Sequence, residues 1–577
     1  MTENRELFLK TNLTALAGTN RELYLRLTGF AANTDVSGFY SFAESRGGEI
    51  VPSLNGQALH SLIDPKREAQ RLISAIGENS GFLICLGFGG GFLCEAALEQ
   101  TDAHVTAIDF GLKGIIELFS SRDYTHLIKN DRFSFLADPS GEEIKSFLTE
   151  HYKPALYGGI QSIPLRARVE ADKPLFSGAI AAIQEAIEIV SGDYTVQTHF
   201  GKRWFSNIIR NIKQLTINSG RLLFKESIKE AAIAAAGPSL DTQIQLLAEL
   251  KARNAFIIST DTALPVLAHN GIIPDAVVSI DCQHISYYHF KNASVHGGVP
   301  LIMDIASPPI LSRLPGLTPV FFAGGHPLAR YISASCGEVS RASALPPLDT
   351  SGANVTYACL SAAEYLGAGR VHLFGADFSY INSRSYARGT YIYPYFQNRQ
   401  NRFSPAEAQF SRFLYRSRFL PAENTEQLTV NNEKFADNGD RKYFETPSLR
   451  FYRKKLEEKA SVMNAEIVCA AGFGAPVTIN KKQLTDNKEQ RTVNNEKDTG
   501  NYYLGFLEKY RDDIAALPEA ESKENYFTKL DAKNRQIFTT LLPYMAAVKK
   551  RKPEITLKEL IKEVKNCCIA EIERVLS

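Results

Sequence analysis

The sequence predicts an α/β protein with two Rossmann-like, doubly wound domains and an all-α C-terminal region. Three observations carry this. Short apolar runs alternate with helical patterns over residues 1–155 and again over 226–480. In each stretch one apolar run leads straight into a glycine turn: FLICL at 82–86 before GFGGG, and AAIAAA at 231–236 before GPSL. Residues 501–577 carry amphipathic patterns rich in Lys and Glu, with no strand signal.

Taken in order, 82–86 and 105–109 (VTAID) enclose the glycine cluster and a helix, a β-turn-α-β unit within an N-terminal domain at 1–155. Residues 156–225 read as a helical connector. Apolar residues recur at helical spacing over 180–190 (IAAIQEAIEIV) and 204–215, and Asn207 and Asn211 lie four apart on one face. In the central domain, 226–480, strands are expected at 231–235, 255–259, 276–280, 300–304, 319–323 and 371–374, with helices between several of them and a mostly parallel sheet. Residues 481–500 are almost wholly polar and read as a linker before the helical tail at 501–577. The hexapeptide TVNNEK occurs at 429–434 and again at 492–497. It is too short and too polar to build a core, so both copies read as solvated insertions.

A chain of 577 residues suits three or four domains at roughly 100–150 residues each. The 65 basic and 63 acidic residues leave a net charge of +2. That balance argues against a nucleic-acid partner, which needs a basic surplus. The amino-terminal MTENRELFLK is polar, and no unbroken apolar run approaches a membrane span, about 20 residues. A cytoplasmic protein without membrane contact is therefore expected. Eight cysteines include no Cys-x-x-Cys, and Cys567 and Cys568 are adjacent, so free thiols and no metal centre are expected. The aromatic content is lopsided: 34 Phe and 24 Tyr beside the single Trp204.

Four constellations could carry chemistry. The 87–91 glycines with Asp109 suit a nucleotide or S-adenosylmethionine, and equally a tight turn in a fold without ligand. The sharper one is Gly237-Pro238-Ser239 before a helix: glycine permits close approach, proline fixes the turn, and Ser239 can cap the helix or bond a phosphate oxygen. An ordinary helix cap is the competing reading. The next strands end in Thr260-Asp261 and in Ser279-Ile280-Asp281, so three successive strand ends carry polar residues where open α/β sheets bind ligands. Thr350-Ser351-Gly352, within DTSGAN, forms a second small-residue helix start. Gly375 and Asp377 end another strand, followed by Tyr380 and Tyr386 six apart. Two phenols could donate hydrogen bonds to a departing phosphate. With Tyr391, Tyr393 and Tyr395 close by, a packed aromatic loop is the alternative.

As an ordered set, GPSL, TDTA, SID, SGAN and GADF resemble the motility-associated factor (Maf) flagellin glycosyltransferases over residues 60–480, with THFGKRWFSNIIRN at 198–211 similar to that family's aromatic, tryptophan and asparagine stretch. The core also resembles the bacterial sialyltransferases of glycosyltransferase family forty-two. The resemblance implies a transferase that moves a nonulosonic acid of pseudaminic or legionaminic type from a CMP-activated donor to Ser or Thr of flagellin. It implies that Gly237, Pro238 and Ser239 hold the donor near its phosphate. Thr260, Asp261 and Asp281 would contact nucleotide or sugar. Ser351 and Gly352 would hold the donor carboxylate, with Thr350 and Gly375 also binding the donor, and Asp377 would belong to the catalytic set. Tyr380 and Tyr386 would assist loss of CMP. No cofactor or metal is implied, although the strand-end Asp residues leave room for a divalent cation. The N-terminal sheet and helical tail would bind flagellin or make oligomer contacts.

Three departures stand out. Ala236 replaces an Asn before the Gly-Pro-Ser turn, Asp261 replaces an Asn, and Ser379 is inserted before Tyr380. The sialyltransferases also use a His base after the tyrosine loop, whereas the last His here is His372. His284, His326 and Asp281 are then candidates, or the acceptor needs no base. Competing classes are a 6-hydroxymethylpterin diphosphokinase, with Asp261, Asp281 and Asp377 on Mg-ATP, a noncatalytic flagellin-binding protein, and a methyltransferase using Gly87 to Gly91.

Overall fold

The computed structural model describes residues 2–35, 37–77, 80–217, 228–291, 298–339, 345–416, 443–481, 500–520 and 526–577. Both TVNNEK copies lie outside the described residues, as does the expected linker at 481–500 apart from its two end residues. The chain divides into two units, residues 1–201 with 516–566 and residues 202–515 with 567–577.

In the first unit, β1 (Ser41–Glu44), β2 (Ile50–Leu54) and β3 (Gln57–Ala58) make a small antiparallel sheet. A parallel sheet follows, built from β4 (Phe82–Leu86), β5 (His104–Asp109), β6 (Phe133–Ala137) and β7 (Ile160–Pro164) in the order β6-β5-β4-β7. A strand covered on both faces has no place for a polar side chain, which is why β4 reads FLICL. Leu83 and Cys85 pack with Phe92 and Leu93 of α1 (Phe92–Gln100). Phe82, Ile84 and Leu86 face the other way, toward Phe176, Ala179 and Ile183 of the long helix α2 (Lys173–Ile217).

One expectation needs correcting. Residues 160–164, expected to be helical, form β7: IQSIP is a largely exposed edge strand with little apolar pattern to reveal it. The two helical patterns at 180–190 and 204–215 belong to one helix, α2. By length and composition alone it contains a window apolar enough to cross a membrane, 33% of which is buried inside the protein. Unbroken apolar runs miss such a window because a helix averages over its polar positions.

Burial also makes the first unit acid-sensitive. It holds the His60 imidazole down at about 4 and that of His104 at about 3. Their folded pKa values lie below the unfolded value of roughly 6.5, so the unfolded chain takes up protons first. The stability they contribute is complete above that value and drains away as pH falls toward 4, on the order of 3 kcal/mol for His60 alone. Urea midpoints for this unit should therefore fall between about pH 7 and pH 5. A constant or rising midpoint contradicts two buried, neutral rings.

The second unit holds a seven-stranded parallel sheet in the order β12-β11-β10-β9-β8-β13-β16. Its strands are β8 (Glu230–Ala234), β9 (Phe256–Thr260), β10 (Ala276–Ser279), β11 (Val299–Asp304), β12 (Leu317–Phe322), β13 (Arg370–Phe374) and, after the short pair β14 (Tyr380–Ile381) and β15 (Tyr443–Phe444), β16 (Glu466–Cys469). All six strands expected in this region are present. Ala232 and Ala234 face α3 (Leu240–Ala252), while Ala231 and Ile233 face α4 (Val355–Tyr365) and α5 (Pro447–Val462). The sheet is thus doubly wound. Successive strands from β8 run outward one way, and β13 returns to pair beside β8 on the other side. That reversal makes the carboxyl ends of β8 and β13 the topological switch point, where such sheets bind ligands.

Candidate active site

The loops after β8 and β13 are bound to each other. The Gly237 N–H donates to the Gly375 carbonyl at 2.9 Å, and the Ser239 N–H donates to Asp377 Oδ2 at 2.8 Å. Asp377 is 5% exposed, and burial raises its pKa. Its carboxylate therefore fills the place at the amino end of α3 where an anion would sit. Ser239 is wholly buried and does not cap α3; its hydroxyl accepts from the Phe473 N–H at 2.8 Å. The Gly237-Pro238-Ser239 turn, where the sequence suggests a phosphate cradle, is latched in this structure by Asp377.

A third loop, at 470–475 after β16, completes the latch and escaped the sequence reading. Gln243 accepts from the Gly375 N–H at 2.8 Å and donates to the Ala471 carbonyl at 2.8 Å. The inserted Ser379 accepts from the Ala475 N–H and donates to the Asp377 carbonyl, both at 3.0 Å. Between them Phe378 has a φ of +44°, a strain of about 1–3 kcal/mol that its surroundings must hold in place. The one available signal was Gly472-Phe473-Gly474 following an apolar run.

Thr260 and Asp261 are also spent internally. Thr260 Oγ1 bonds the Ala234 carbonyl and the Ala263 N–H. Asp261 accepts from Thr262 N at 2.7 Å and from Ser279 Oγ at 2.8 Å. Asp281 is half-buried; one oxygen accepts from Gln283 N at 2.8 Å, and burial raises its pKa. His289 and Tyr391 each feel the Asp281 charge through space, and Tyr391, Tyr380, Arg416 and Asp261 act in the same way on Tyr386. Burial raises both Tyr380 and Tyr386. Tyr386 is aimed by its neighbours: the Ala387 N–H donates to the Ala236 carbonyl at 2.8 Å, and Arg384 pairs with Asp241 at 2.7 Å. The tether sets Tyr386 beside the turn after β8, and Tyr380 acts on its charge through space.

Thr350, Ser351 and Gly352 form a turn whose polar groups are partly taken. The Ser351 N–H donates to Asp349 at 3.0 Å, and Tyr357 donates to the same carboxylate at 2.6 Å. Asp349 thus takes up the Ser351 N–H in the unliganded chain. Asp304, at the end of β11, was not singled out by sequence; burial pushes its pKa up to about 7. Of the expected bases, His284 is exposed, while His326 is half-buried against Trp204 with ring centroids 5.4 Å apart.

Asn207 and Asn211 explain the asparagine spacing on α2. Asn207 donates to the carbonyls of Cys282 and Ala306, and Asn211 to those of Ile305 and Ser307, all within 2.7–3.1 Å. They clamp the strand ends after β10 and β11. Asn211→Ala should orphan two buried carbonyls, with a loss of about 1–3 kcal/mol, read as a fall in the urea midpoint of Trp204 emission.

The N-terminal glycine loop is occupied by its own unit. The Phe88 N–H donates to Asp109 at 2.7 Å and the Gly90 N–H to His60 Nε2 at 2.9 Å. A Cβ on Gly89 would stand 2.6 Å from His60 and from Leu165. Glycine here admits the protein's own side chains, and Asp109 faces Arg168, at the place where the sequence suits a nucleotide or S-adenosylmethionine.

The geometry can be set beside known proteins. A family model described as 6-hydroxymethylpterin diphosphokinase MptE-like matches residues 206–383. An uncharacterized protein of Treponema pallidum (strain Nichols) is 32% identical over 174 residues, 30% of this chain and 81% of that protein. The two belong to one family. A second protein of the same organism is 38% identical over 138 residues, 23% of this chain and 47% of its own length, so the chain spans about half of it. The solved MAf glycosyltransferase from Magnetospirillum magneticum AMB-1 covers 99% of this chain and 95% of its own, with a TM-score of 0.56 at 14% identity. The chain has the Maf fold. The resemblance read from the ordered motifs holds for the architecture, N-terminal sheet and helical tail included.

Proposed function

We propose that the second unit is a glycosyltransferase that carries a nonulosonic acid from a CMP-activated donor to Ser or Thr hydroxyls of flagellin in the cytoplasm, with no metal required. The observation that carries this reading is the tyrosine loop tethered at Ala236, which sets Tyr386 beside the switch point of a Maf fold. Loss of the nucleotide places new charge on a phosphate oxygen, and buried phenols that donate to it lower the barrier more than they aid binding. Tyr386→Phe should reduce kcat by about 10²-fold and leave KM for the donor within a few-fold, measured as CMP release. An unchanged kcat removes Tyr386 from the chemistry. Mass spectrometry of flagellin from cells with and without the protein tests the whole reading: identical masses sink it.

The MptE-like match over 206–383 favours one second reading, pyrophosphoryl transfer from Mg-ATP to a hydroxymethylpterin. It would need strand-end carboxylates for the metal, yet Asp261 and Asp377 are committed to internal hydrogen bonds, which leaves Asp281. Turnover of ATP with a pterin, abolished by a chelator, would favour it.

A further inference from the structure

We propose that His289 is the general base of the transferase, backed by Tyr391, and this rests on the glycosyltransferase reading. His289 lies in the short helix Tyr287–Phe290 that follows β10. It is 7% exposed, and its Nδ1 is buried without a hydrogen-bond partner. A buried, unsatisfied ring nitrogen is costly to leave unpaired and wants an explanation. Its neighbours supply one. The Asp281 carboxylate is close enough for the two groups to bias each other's charge. The Tyr391 ring meets the imidazole edge-on with centroids 4.4 Å apart, and Tyr391 in turn faces Tyr386 at 6.5 Å. One aromatic residue thus separates the imidazole from the proposed leaving-group donor.

In the step, the acceptor oxygen bonds the anomeric carbon while the bond from that carbon to the phosphate oxygen breaks. The electron pair of that bond leaves with the nucleotide. The hydroxyl proton passes to the His289 imidazole, whose cation Asp281 steadies, and from there to water. The sequence hid this residue because YYHF reads as an aromatic run, and the nearby His284, the candidate from the same segment, is exposed instead.

The groups facing the imidazole are Asp281 after β10 and Tyr391 before the helix Ile392–Gln397, with Asp261 of the β9 end behind both. The test uses the full chain, flagellin, and CMP-activated pseudaminic and legionaminic acids. His289→Asn should slow transfer by about 10²–10⁴-fold, leave donor affinity by calorimetry within a few-fold, and abolish the acid limb of the rate profile. Asp281→Asn should fold like the parent by Trp204 emission and slow transfer about tenfold, since the cation formed in the step loses a nearby carboxylate. Transfer by His289→Asn at the parent rate, or with the parent's acid limb, overturns the proposal while the parent's activity keeps the transferase reading intact. A parent that releases no CMP from either donor overturns both.

Discussion

Arg168→Ala is expected to destabilise the first unit by about 3–5 kcal/mol, because it strands a buried charge. Arg168 is 0% exposed, as is its partner Asp109. Its Nε donates to Asp109 at 2.9 Å, another nitrogen donates to the Phe110 carbonyl at 2.8 Å, and a third pairs with Asp172. Asp109 also accepts from the Phe88 and Phe110 N–H groups at 2.7 Å. Those two bonds outlive the substitution and cannot replace a counter-charge. Adding Asp109→Asn should therefore restore part of the loss, since a neutral amide needs no cation while its oxygen can still accept from the loop. Amide exchange of β4 and β5 should quicken in the single variant and slow again in the double. Equal exchange in Arg168→Ala and the parent would mean that the pair contributes little.

How far the sequence exposed this fold follows from burial. FLICL and AAIAAA were legible because strands covered on both faces admit no polar residue, while IQSIP was not, since an exposed edge strand keeps no apolar pattern. At the site, residue types and strand ends were legible and their hydrogen bonds were not. Asp261 and Asp377 stand where a ligand would be sought, yet each meets a partner distant in sequence: Ser279 for one, Ser239 for the other. A one-dimensional pattern cannot tell a carboxylate that receives a ligand from one that closes a loop. The loop at 470–475 shows the same limit, because its contacts with Gln243 and Ser239 span more than two hundred residues. His289 shows the converse: its meaning comes from an unpaired nitrogen that only packing reveals.

Gly237→Ala separates the two readings of the Gly-Pro-Ser turn. A Cβ there would lie 2.3 Å from Asp377 Oδ2 and 2.4 Å from the Gly375 carbonyl oxygen. One obstacle is backbone and the other is a carboxylate held by Ser239, so neither can swing aside as a surface side chain would. Overpacking of this kind costs about 1–3 kcal/mol. Driving Asp377 from Ser239 leaves a buried N–H unpaired, about 1–3 kcal/mol more, while the carboxylate keeps the Gly474 N–H. The expected total is about 2–6 kcal/mol, with no donor present. Were the glycine needed only to let a donor phosphate approach, alanine would weaken donor binding and leave the free protein's stability unchanged. Urea melts of the unliganded variant, followed by emission of Trp204, the single tryptophan in the chain, distinguish the two. A large fall in midpoint identifies a latch. Asp377→Asn should then lose less, because its amide oxygen still accepts from Ser239. Asp377→Ala should approach the glycine variant, and Tyr386, tethered one residue away at Ala236, should lose its alignment in both.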